Sequence, residues 1–130
     1  MTTTNEAEIM LALGRRPDLR IFGNETGQGW VGKPVGPVNG RGIVLQNARR
    51  IRFGLCPGSS DLIGIQSVVI TPAMVGRTVG VFLAAECKAG LGRASADQRA
   101  FLDMVRERGG IAVVARSAHD VLDAINAYWV

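Results

Sequence analysis

The run TVGVFLAAECK, Thr78 to Lys88, is followed by SADQRAFLDMVRER, Ser95 to Arg108, and by GGIAVVA, Gly109 to Ala115. These segments decide the fold. The first is small, apolar and β-branched, and reads as a buried strand. Ser95-Ala96-Asp97-Gln98 has the capping-box pattern that opens a helix, and Gly109-Gly110 stops it. IAVVA is a second apolar strand. A strand–helix–strand unit predicts two parallel strands joined by a right-handed crossover. Ser117 then caps a last helix, AHDVLDAINAYW, with Asp120 three residues after the cap. The chain is therefore predicted to be α/β.

Working outward, Asn5 can cap a helix beginning NEAEIMLAL, on which Glu6, Ile9, Met10 and Leu13 share one face. LRIF at 19–22 predicts a short strand. Gly23 to Gly42 carries seven glycines and two prolines, a composition that predicts a long loop. With one Trp and several basic residues this loop is either a substrate-contacting segment or an ordinary surface loop. IVLQNARRIRFGL reads as two short strands around a turn at Asn47. Pro57 to Ser60 is a turn, DLIGIQSVVI is strand-like, and TPAMVGR breaks it. The expected architecture is a central mixed β-sheet flanked by helices.

The 130 residues fit one domain spanning 1–130. No apolar run approaches the roughly 18 residues that cross a membrane, and MTTTNEAEI has no signal-peptide pattern. The two cysteines, Cys56 and Cys87, have neither metal nor disulfide spacing, and their apolar contexts predict buried thiols in a cytoplasmic protein. Net charge is +4, and thirteen of the fifteen basic residues are Arg, which suits bidentate phosphate contacts. Between Arg15 and Arg52 there are eight basic and two acidic residues, a plausible polyanion footprint. Lys33, Arg41, Arg49, Arg50 and Arg52, with Ser60, are the candidate contacts to a polyanion such as nucleic acid, and the alternative is a basic protein with a solvated surface.

Strand alternation puts Phe82, Ala84, Glu86 and Lys88 on one side, and Val79, Val81, Leu83, Ala85 and Cys87 on the other. Asp61 begins the preceding strand after Gly58-Ser59-Ser60. If those two strands pair antiparallel, Asp61, Glu86 and Lys88 converge. Two close carboxylates repel, and a divalent cation resolves the conflict; hard oxygen ligands suit Mg²⁺. Lys88 would then orient a water or stabilise charge on a phosphate, the parts that metal-assisted phosphodiester hydrolysis needs. The plainer alternative is an ion pair at a strand end.

GLCPGSSDLIGI, AECKAG 25 residues after Asp61, and Gln98 in the next helix together resemble the VRR-NUC group of the PD-(D/E)XK nuclease superfamily, the virus-type replication–repair nucleases. Glu6 to Ile9 in the first helix and GGIAVVARSAHD at the end extend the resemblance over nearly the whole chain. It implies a restriction-endonuclease-like fold and a DNA endonuclease dependent on Mg²⁺ or Mn²⁺. Asp61 and Glu86 would be metal ligands, with the Cys87 carbonyl as a third, Lys88 the catalytic lysine, and Gln98 at the edge of the site. Gln98 has a rival use as the partner of Ser95 in the capping box, and one side chain is not expected to serve both fully. Glu6 would approach the metal, in preference to Glu8. Its alternative is a favourable charge in the first helical turn. The resemblance further implies a homodimer cutting branched DNA such as Holliday junctions, in a phage or bacterial host cell. One departure is Gly23-Asn24, where related chains often have Arg before Asn; an interaction with substrate is missing or moved there.

Two other readings compete. GQGWVGK, Gly27 to Lys33, imitates a phosphate-binding loop, but Pro34 follows in place of the hydroxyl residue and no helix can start there. A non-catalytic basic DNA-binding module explains the charge but not Asp61 and Glu86. His119, the only histidine, opens an amphipathic helix and is expected to be exposed, which removes Ser–His and Cys–His schemes.

Overall fold

The computed structural model describes residues 4–36, 40 and 42–130. Its elements are α1 (Thr4–Gly14), β1 (Leu19–Gly23), β2 (Gly27–Pro34), β3 (Leu45–Phe53), β4 (Leu62–Gln66), a short 3-10 turn (Pro72–Met74), β5 (Leu83–Cys87), α2 (Ala96–Glu107), β6 (Ile111–Ala115) and α3 (Ala118–Tyr128). Asn5 lies inside α1 and is not its cap. The chain divides into two compact units, Met1–Gly64 and Ile65–Val130.

The strands form three two-stranded sheets, β1 with β4, β2 with β3, and β5 with β6. A single central mixed sheet is not formed among the described residues, and neither is the antiparallel pair between the Asp61 strand and the AECK strand. Gly64 lets β4 lie close against β1: a Cβ there would collide with the Arg20 carbonyl.

In the first unit α1 packs on β1. The glycine-rich segment, expected as a loop, forms β2 and pairs antiparallel with β3. Its glycines are what permit the pairing. Lys33 pairs with Gln46 and Val31 with Arg49, so Asn47 and Ala48 together face Gly32 across a bulge. A Cβ on Gly32 would lie 3.0 Å from the Gln46 carbonyl oxygen and 3.1 Å from the Ala48 Cα. Asn47, expected as a turn, is the bulged residue, at φ 55°. Asn tolerates the left-handed region, so one continuous strand replaces the two expected.

In the second unit β5 and β6 are parallel, Leu83 opposite Ile111 through Cys87 opposite Ala115, with α2 as the connection. Ser95 and Gln98 form the expected capping box. α2 turns Leu102 and Val105 inward, where they meet a core that also holds Ile111, Ala112 and Ala115. Gly109, at φ 93°, ends the helix, and Gly110 leaves no room for a Cβ, which would sit 2.7 Å from Val105. Ser117 caps α3 by accepting from the Asp120 amide. α2 lies over the Ala84 and Glu86 side of β5, so Leu83, Ala85 and Cys87 are exposed on the other side. Both thiols, expected to be buried, are exposed.

Candidate active site

Glu86 and Lys88 leave β5 on the same side, as strand period 2 requires. Lys88 Nζ is 3.3 Å from Glu86 Oε1, and both side chains are only partly exposed, at 22% and 30%. Gln98 comes in from the first turn of α2. Its Nε2 donates to the same Glu86 oxygen at 2.8 Å. Its Oε1 accepts from the Ser95 amide at 2.8 Å, while its own amide donates to Ser95 Oγ at 3.1 Å. The side-chain amide thus serves the cap and the carboxylate together, which corrects the expectation of a conflict. An open cavity of about 460 Å³ is lined by Glu86, Gln98, Ala84, Phe101 and Leu102. This carboxylate is held in place by Gln98 and opens onto the cavity, with Lys88 beside it.

In the first unit the turn before β4 is organised by Asn24, the one buried polar residue among those described, at 7% exposure. Its Nδ2 donates to Ser59 Oγ at 2.7 Å and to the Ser60 carbonyl at 2.9 Å. Its Oδ1 accepts from the Leu55 amide at 3.0 Å, and its own amide donates to the Asp61 carbonyl at 2.7 Å. Ser59 in turn donates to the Cys56 carbonyl. The backbone of Asp61 is thereby tied down, and its side chain is exposed. The sequence predicts only an altered substrate interaction at Gly23-Asn24 and misses Asn24 as an anchor. Its signal is a lone Asn directly after a strand, a residue suited to local backbone bonding.

Lys33 on β2 and Arg49, Arg50 and Arg52 on β3 are exposed, as is Ser60. Arg41 lies outside the described residues. Glu6 is half-buried on α1, and Glu8 is exposed. Among the described residues no three His, Cys, Asp or Glu side chains form a group that could hold a metal ion. His119 is exposed, 3.3 Å from Asp123. GQGWVGK is strand rather than loop and helix, so it is no phosphate-binding loop. No helix among the described residues is long and apolar enough to cross a membrane.

A glutamate on β5 and the lysine just past its end, with a helical glutamine holding the glutamate, are a set of groups suited to phosphodiester chemistry. The VRR-NUC domain model matches residues 43–119, from just before β3 into the start of α3. That is more than half of the 130-residue chain, and the chain belongs to the VRR-NUC domain family, a family of nucleases. The match includes Asp61, Glu86, Lys88 and Gln98. Neither the curated proteins nor the solved structures compared with the chain match it.

Proposed function

We propose that this chain is a DNA endonuclease dependent on Mg²⁺ or Mn²⁺, with a single nuclease domain of restriction-endonuclease-like fold. The observation that carries the proposal is the Gln98–Glu86–Lys88 arrangement. Gln98 and Lys88 both engage Oε1 of Glu86, and this carboxylate is the group that would hold the cation. Glu86 and the Cys87 carbonyl would hold the ion, with Asp61 as the second carboxylate and Glu6 a further one; oxygen donors of this kind suit a hard divalent ion that keeps several waters. When bound, the ion would polarise a water and neutralise charge on the phosphoryl oxygens. Lys88 orients the attacking water or stabilises the developing negative charge. Gln98 fixes the carboxylate so that neither group must reorganise during reaction.

Lys33, Arg41, Arg49, Arg50 and Arg52 are the phosphate contacts, with Ser60 beside Asp61. The substrate is branched DNA such as a four-way junction, and the active form is a homodimer in the cytoplasm of a bacterial or phage-infected cell. Val68, Val69, Ile70 and Val75, all more than half exposed, support a partner surface, since large apolar side chains in sequence are costly to leave in water. Two active sites related by a two-fold axis suit paired cuts. The test is cleavage of labelled junction, flap and linear duplex with Mg²⁺, Mn²⁺ or EDTA. Cutting that requires metal supports the proposal. DNA binding without cutting by either metal would leave a non-catalytic binding module.

A further inference from the structure

On the β2–β3 ribbon, Trp30 pairs with Arg50, and Gln28 with Arg52. Paired residues share a face of a ladder, and so do residues two apart on a strand. These four side chains therefore form one face, and all are exposed, Trp30 by 62%. The Arg50 guanidinium lies 5.5 Å from the centre of the Trp30 ring, within cation–π range.

Trp is highly buried on average, so its placement here needs a reason. A missing core is a poor one. The same face carries Gln28 and two arginines, which would be costly to bury without partners. What the face does offer is a flat aromatic surface set among positive charges. Surfaces that bind unpaired nucleic acid have this composition, because every base has a π-face and every nucleotide a phosphate. The face also has a continuation. Gln28 and Arg52 line an open cavity of about 340 Å³ with Phe53, Leu55 and Pro57. That loop runs on to Gly58–Asp61 within the same unit.

We propose that this face is a binding site for unpaired nucleotides: a base stacks on the Trp30 ring while Arg50 and Arg52 meet the flanking phosphates. The proposal rests on the reading of the chain as a DNA nuclease. It narrows the substrate to DNA with single-stranded character. Bases in an intact duplex are covered by their neighbours, and the arginines would serve such a duplex without any ring.

The chain has two tryptophans, Trp30 and Trp129, so a Trp129→Phe protein reports on Trp30 alone. It is titrated, in EDTA and at one salt concentration, with oligothymidine and with a blunt hairpin duplex of equal phosphate number. Oligothymidine quenches Trp30 emission, and the duplex leaves it nearly unchanged. Trp30→Ala weakens oligothymidine binding about tenfold, the scale of one base–aromatic stack, with less than about a twofold change for the duplex. Trp30→Phe restores most of the loss. Unquenched emission, or equal losses on both DNAs, overturns the platform. Metal-dependent cutting by the wild-type chain is measured separately. Cutting without a Trp30 effect removes the platform and leaves the nuclease, whereas quenching without cutting does the reverse.

Discussion

Gln98 uses the two ends of its amide in different directions. The oxygen closes the capping box on Ser95 and the nitrogen holds Glu86. Substitutions can separate these uses. Gln98→Glu keeps an acceptor for the Ser95 amide but replaces the donor facing Glu86 with a like charge. It is expected to keep the contribution of the cap to stability while lowering cleavage by at least about tenfold, since a carboxylate pair at close range disfavours both charges. Gln98→Ala removes both uses and costs about 1 kcal/mol of stability as well, the usual scale for removing a cap. Thermal melts beside cleavage rates check the pair. Asn24 is the counterpart in the first unit. Asn24→Ala leaves the Leu55 amide without its side-chain acceptor and frees the Ser59–Asp61 turn. The expected loss is about 2–3 kcal/mol in urea denaturation. Glu86 and Lys88 are legible as a pair in the sequence because strand period 2 alone puts them on one side. Asn24 is not, because its importance lies in partners 31 to 36 residues away.

At the scale of elements, caps and stops in the second unit agree with the tertiary structure. Ser95, Gly109 and Ser117 bound α2 and α3 where local chemistry says they should, and the parallel pairing of β5 and β6 follows from their order. The ribbon in the first unit shows the opposite case. Gly27, Gly29, Gly32 and Pro34 weaken an isolated strand, so local composition predicts a loop. Cross-strand partners on β3 override it, and the lack of side chains becomes the condition for pairing. Asn47 is read as a turn for the same reason: a residue suited to positive φ serves a turn or a bulge, and only the register distinguishes them. Asn47→Gly is therefore expected to be close to neutral, while Asn47→Val costs about 1–2 kcal/mol, the penalty for a bulky L-residue in the left-handed region. Equilibrium denaturation of the two variants measures this. Cys87 shows how apolar neighbours in sequence mislead about burial when a strand has a covering helix on one side only, and Cys56 is exposed in the loop after β3.

For the whole molecule, the net charge of +4 comes mainly from arginines, of which β3 carries Arg50 and Arg52 on one face and Arg49 on the other. Polyanion binding should then be steep in salt. Removing Arg49 and Arg52 together should weaken DNA binding at all sequences and lower the slope of log K against log salt by about 1.8, near 0.9 for each phosphate no longer neutralised. Fluorescence anisotropy across a salt series reads this out. The proposed function stands on a metal-dependent nuclease site at Glu86 and Lys88. The direct test is cleavage of a labelled four-way junction by the wild type and by Lys88→Ala, in Mg²⁺, Mn²⁺ and EDTA, with binding followed in parallel. The wild type is expected to cut only with metal and Lys88→Ala to lose at least about 100-fold, the lower range for a positioned catalytic group, with binding unchanged. Cutting in EDTA, or a Lys88→Ala protein as active as the wild type, would contradict the proposed function.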